Sequence, residues 1–289
     1  MADRDLTLLY DGSFDGLMSA VFDAYRRRPR PVAILPESSC QIQFGRRYLA
    51  VAADPEKADR VVRGIREKIG EFAYEKVWLA SLADIPDVSQ TIYVYLQWGF
   101  EIGSVIRLRL ADDRALALDK AVAIVTRESE HLREFLRFSE MDGGVFYGEI
   151  SPRHQVLPLL MPHFAERFND QPFLIQDRTH QLAGVAKDGK WYITDSSSFT
   201  MPALAAREEA IRYLWKTFYQ KVAIEERINP GLRRQHMPKK YWKHMTEMDP
   251  RPMKPPATPY QPAPPKPLPD GVSPPPLPFP GLRVLADPR

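Results

Sequence analysis

The chain predicts a mixed α+β protein, and three observations carry that expectation. A short apolar strand turns through glycines into an amphipathic helix near the start. A Gly- and Pro-poor middle is rich in helix formers. A later half holds β-branched and aromatic runs divided by turn residues, followed by one long helix. With 289 residues, 44% of them hydrophobic, the chain is long enough to bury a sizeable core. The expected organisation is one α+β domain over 1–249, with a helical insertion at about 55–139, and a proline-rich tail over 250–289.

In order, "LTLLY" (6–10) reads as a strand and "DGSFDG" as a turn, and Leu17, Ala20, Val21, Ala24 and Tyr25 then share one helical face. "PVAIL" reads as a second strand. Helices are expected over 55–69, roughly 72–82, 87–108 and 114–138. "GGVFYGEI" (143–150) reads as a strand entered by two glycines, and 156–168 as a helix carrying Pro158 and Pro162. Strands follow at 172–177, 181–187 and 190–194, the last two joined by Asp188-Gly189, a hairpin turn pair. A helix over about 202–226 repeats Ile211, Trp215, Phe218 and Val222 at helical spacing.

Beyond Asp249 the composition changes, with 16 prolines in residues 250–289. Such a segment lacks backbone donors and an apolar pattern, so an extended, disordered tether is expected. Charge is unevenly placed. Residues 250–289 hold 5 of the 40 cationic and 2 of the 37 acidic side chains, so 1–249 is neutral, with 35 of each. Within that neutral body, "RINPGLRRQHMPKKYWKHM" (227–245) concentrates six cations and no acid. Cys40 is the single cysteine, which excludes an internal disulfide, a thiolate zinc site and a cysteine-ligated iron–sulfur cluster in this chain. No cofactor is expected. No apolar signal core or membrane-length run is visible, so a cytoplasmic protein without membrane contact is expected.

Four stretches carry possible chemistry. "LLYDGSFDGLMSA" can offer amides and a helix dipole to a phosphate, or Asp11 and Asp15 to a metal or proton; alternatively Asp11 opens the turn and Ser13 or Asp15 caps the helix. "FYGEISPRHQVLPLLMPHF" places Glu149, His154 and His163 close in sequence, and Asp170, Asp177 and Arg178 follow. These suit acid–base work at no metal-ligand spacing, or a capping His154 and a half-buried His163. The aromatic helix (Tyr213, Trp215, Phe218, Tyr219) suits base stacking, but its periodicity favours core packing. In the basic stretch, Arg227, Arg233, Arg234, Lys239, Lys240 and Lys243 suit phosphate contacts and Tyr241 or Trp242 stacking; a protein partner or a solvated face are the alternatives.

Three long motifs, "YDGSFDGLMSAVFDAY", "FYGEISPRHQVLPLLMPHFAERFNDQPFLIQDRTH" and "LWKTFYQKVAIEERINPGLRRQHMPKKYWKHMTEM", together resemble a bacterial domain-of-unknown-function family described as probable DNA metabolism or repair proteins. The resemblance implies a role on DNA, a radical S-adenosylmethionine protein as partner and, in some members, fusion to a uracil-DNA glycosylase-like domain. It supplies no catalytic residues. With one cysteine here, radical chemistry would belong to the partner. The expected function is therefore an accessory DNA-binding component of a repair or modification system. The alternatives are a hydrolase or nucleotide-processing enzyme built from Asp11, Asp15, Glu149, His154 and Asp177, and a protein-docking scaffold.

Overall fold

In a computed structural model the described residues are 6–197, 203–205, 207–251 and 253. The expected tail lies almost wholly outside them, as does the start of the expected 202–226 helix. The fold is mixed helix and sheet, and its contacts form two compact units, residues 1–128 and 129–289, each described by itself.

In the first unit the apolar run Leu6–Tyr10 forms β1, with Leu8 fully buried. The chain turns at Gly12 into α1 (Phe14–Arg26), capped by Ser13, whose side chain accepts the amide of Gly16. β2 (Ala33–Pro36) and β3 (Arg47–Ala50) flank β1, both parallel to it. β3 was not expected from sequence: it is four mostly exposed residues opened by arginine, without apolar alternation to announce it. α2 (Pro55–Lys68) follows, with Asp54 as its cap and Pro55 in its first turn, and packs against α1. α3 (Glu71–Ser81) and α4 (Val88–Ile102) come next, and α5 spans Asp113–Phe135. The helix expected over 87–108 stops at Ile102, because Gly103 adopts a φ of 67° and the chain goes on as a 3-10 turn, Gly103–Leu108.

The second unit is built on a five-stranded mixed sheet: β4 (Phe138–Glu140), β5 (Phe146–Ile150), β6 (Phe173–Asp177), β7 (Leu182–Lys187) and β8 (Lys190–Asp195), in that order. β5 and β6 are parallel and joined through α6 (Leu157–Phe168); the other pairs are antiparallel. The expected helix over 114–138 is shortened because Phe138 pairs with Gly148 instead. α6 buries Leu157, Leu160, Met161 and Phe164 against one face of the sheet. Contact there is close enough that a Cβ on Gly184 would lie 2.2 Å from the Met161 sulfur. Phe138 meets Phe164, Phe168 and Phe173 edge-on in the same layer, and Phe168 and Phe173 tilt against each other. Asp188 and Gly189 take positive φ of 53° and 71° in the β7–β8 hairpin, as the primed turn requires.

α7 (Glu208–Val222) follows. The expectation that its aromatic face is core is not met: Trp215 is 40% and Phe218 56% exposed. The basic stretch forms α8 (Pro230–His236), capped by Asn229, then 3-10 turns over Lys239–His244 and Thr246–Met248. No helix among the described residues is long and apolar enough to cross a membrane.

Candidate functional site

The alternation of β5 sets the site. Phe146, Gly148 and Ile150 take one side of the strand, toward the aromatic layer under α6, so Tyr147 and Glu149 take the other and Ser151 continues their side at the strand exit. β6 lies parallel with Glu149 opposite Gln176, so these two side chains share that second face. The carboxyl ends of two adjacent parallel strands thus carry Glu149 and Ser151 on one and Asp177-Arg178 on the other. Ligand sites in sheets with parallel strands form at such ends.

Glu149 is the hub. The Tyr147 hydroxyl donates to its Oε2 at 2.9 Å and also faces the amide oxygen of Gln176, a second acceptor, at 2.7 Å. Arg178 donates to the same oxygen at 3.1 Å, and its backbone amide is fixed on the Ile150 carbonyl. The other oxygen, Oε1, lies 3.3 Å from Nδ1 of His244, whose Nε2 is 3.1 Å from the Ser151 hydroxyl. Ser151, His244 and Glu149 therefore form a line of hydroxyl, imidazole and carboxylate. With Nδ1 protonated toward Glu149, the Nε2 lone pair faces the serine.

His244 reaches the sheet because its segment is anchored on both sides of it. Tyr241, 5% exposed, packs on His131 and Phe135, and Met245 is 2% exposed. The Glu247 carboxylate accepts from Arg137 at 2.7 Å and from the Trp215 indole at 3.1 Å. Burial lowers the His244 pKa; Glu149 opposes that shift, while Lys243 and Arg178 add to it, so the ring is neutral at pH 7. Burial alone would raise the Glu149 carboxyl, but hydrogen bonds from Tyr147 and Arg178 hold it below its usual range and keep it ionised. Tyr147 is pushed well up by burial and by the adjacent carboxylate.

Of the acid–base residues read from sequence, Glu149 lies in this cluster. Asp177 does not: its register partner is Ile150, which puts it on the opposite face of the sheet from Glu149. There it is fully buried and accepts the amides of Thr179 and His180 while its second oxygen meets His180 Nδ1 at 2.6 Å. His154 is buried, 6% exposed. Asp11 and Asp15 belong to the first unit. The Asp11 carboxylate accepts the amide and hydroxyl of Ser13 and folds over the helix start, where a Cβ on Gly16 would be 2.1 Å from its Oδ1. Asp15 is an exposed first-turn acid. Among the described residues no group of three or more His, Cys, Asp or Glu is arranged to hold a metal.

In the basic stretch Arg227, Arg233, Arg234, Lys239, Lys240 and Lys243 are all exposed. Tyr241 is corrected as a stacking residue, since its ring is an anchor buried between His131 and Phe135. Trp242 is half-buried; it donates its indole N–H to the Met237 carbonyl and has the Arg233 and Lys239 cations 5.2 and 5.9 Å from its ring centre. A groove of about 600 Å³ runs beside it, lined among others by Tyr213, Lys216, Arg233 and Trp242.

The second unit is thus a mixed sheet bearing a polar cluster on one face, next to an exposed cationic segment. The chain belongs to the family described as a domain of unknown function, DUF4130, whose match covers residues 86–247, more than half the chain. Among curated proteins no significant match to the chain was found. Ser151 and His244 were missed from sequence, although a signal for Ser151 was present: Tyr147, Glu149 and Ser151 are polar at alternate strand positions. His244 carried no signal, lying 93 residues from the serine it meets.

Proposed function

We propose that this chain is a nucleic-acid-binding accessory component of a bacterial DNA repair or modification system, gripping the phosphate backbone with residues 227–243. One observation carries the reading. Arg227, Arg233, Arg234, Lys239 and Lys243 are exposed, and among the described residues none is in an ion pair, while the buried Tyr241, Met245 and Glu247 anchor the end of the segment, Tyr241 on His131 and Phe135 and Glu247 on Arg137 and Trp215. Unneutralised cations on an anchored segment release counterions from a polyanion without a large ordering cost. Trp242, bordered by two cations, is the residue for stacking an unpaired base. The DNA context, a radical S-adenosylmethionine protein as working partner and a uracil-DNA glycosylase-like protein as a further partner rest on the resemblance of the three long motifs. The single Cys40 agrees with that division of labour.

The test is binding of the full chain to single- and double-stranded DNA over a salt series. With about four phosphates contacted, a fourfold rise in salt lowers affinity roughly a hundredfold. Replacing Arg233 and Arg234 together by Ala weakens binding to all sequences alike and lowers the slope of log affinity against log salt by about 2. A slope unchanged by the double substitution removes this segment from the interface.

A further inference from the structure

The line Ser151–His244–Glu149 has the composition and order of an activated nucleophile: a hydroxyl, a neutral imidazole within 3.1 Å of it, and an ionised carboxylate within 3.3 Å of the far ring nitrogen. It is assembled from two places far apart in the chain, the exit of β5 and the turn over Lys239–His244. The partners of Glu149 do more than a lone ion pair needs. Tyr147 and Arg178 both bind Oε2, which leaves Oε1 directed at His244. Ser151 is half-buried rather than sealed in the core, and Arg178, bound to Glu149, has its side chain 51% exposed. Lys243, next to His244, adds a second exposed cation.

We propose that Ser151 is a nucleophile activated by His244, with Glu149 as the residue that positions the imidazole, and that the site cleaves a phosphodiester. The serine–histidine relay stands on its own geometry. The choice of a phosphodiester rests partly on the nucleic-acid reading above and partly on two exposed cations of the cluster, Arg178 on Glu149 and Lys243 next to His244 in the chain. In the first step the Ser151 proton passes to His244 Nε2, the Oγ–P bond forms and the bond from phosphorus to the leaving oxygen breaks. That oxygen departs as an alcohol with the proton from His244. In the second step water gives a proton to His244 and attacks the phosphorus of the seryl phosphodiester, which still carries the other substituent; the O–P bond to Ser151 breaks and the serine recovers its proton from His244. The sum is one phosphodiester and one water giving one phosphomonoester and one alcohol. Glu149 stays ionised throughout and holds the Nδ1–H tautomer.

The deciding experiment treats the full chain with a fluorophosphonate at pH 8 and locates the adduct by peptide mass spectrometry. The Oγ–P bond forms as P–F breaks and fluoride leaves, so the reagent reports the nucleophile whatever the natural leaving group. Selective modification of Ser151 is expected, with none in Ser151→Ala and a rate at least about a hundredfold lower in His244→Gln. In Glu149→Gln the labelling slows and its pH midpoint moves lower, because Glu149 raises the pKa of His244; loss of a merely structural contact would slow labelling without moving the midpoint. Absence of an adduct on Ser151, in chain shown to be folded by its thermal transition, overturns the relay and leaves the DNA-binding reading to its own salt titration. An adduct on Ser151 without turnover of thymidine 5′-(p-nitrophenyl phosphate) overturns the phosphodiester assignment.

Discussion

Two strands of this protein run out into similar polar stretches, "YDGSFDG" from the last residue of β1 and "GEISPRH" from the last three residues of β5, and the chain uses them in opposite ways. At the first, the partners of Asp11 and Ser13 are local: Asp11 binds Ser13, Ser13 binds the Gly16 amide, and these hydrogen bonds close within three residues. At the second, Glu149 has one near partner in Tyr147, but Arg178 joins it from 29 residues away and His244 meets Ser151 from 93 residues away. A carboxylate that satisfies itself in a turn starts a helix. One that draws cations and an imidazole from distant elements has been placed by the tertiary fold, and holds groups in a geometry that a local turn does not require.

That comparison breaks most readily at the anchor of the second region. Glu247→Ala leaves Arg137 without its carboxylate at a nearly buried pair, at a cost of about 3 kcal/mol, and frees the segment carrying His244. Denaturant unfolding followed by tryptophan fluorescence measures it, and serine labelling should fall with it. A stable protein with unaltered labelling would show that the anchor does not position His244.

The same pair has a pH signature. Burial raises the Glu247 carboxyl, but Arg137 and Trp215 outweigh it, and the folded-state pKa lies below the ordinary 4.5. Its contribution is therefore complete above about pH 4.5 and is lost as pH falls through the lower folded value. The difference in stability between the native chain and Glu247→Gln should shrink from pH 7 toward pH 3. A constant difference would deny that Glu247 is held as a carboxylate.

The smallest effect belongs to the first region. Ser13→Ala removes the α1 cap at a cost of about 1 kcal/mol and leaves labelling of Ser151 unchanged. A loss of labelling would show that the cap of α1 and the serine are coupled.

How legible each region was follows from the range of its interactions. α1, α2 and the β7–β8 hairpin were readable because cap, apolar period and turn pair lie within one turn of chain. β3 and β4 were not, since strands of four and three residues form by pairing with β1 and β5 and carry little period of their own. α7 misled in the other direction: a helical apolar stripe states that a face can be buried, but Trp215 and Phe218 stay largely exposed.

The amino-acid sequence by itself determined the mixed fold, most element positions and the cationic run at 227–243, because backbone propensity, periodicity and charge are properties of neighbouring residues. Only the tertiary structure decided that Glu149 and Asp177 face opposite sides of one sheet, that Tyr241 is an anchor, and that His244 stands between Ser151 and Glu149. Strand register and the docking of a distant turn depend on which surfaces bury one another, and that is settled when the whole unit packs.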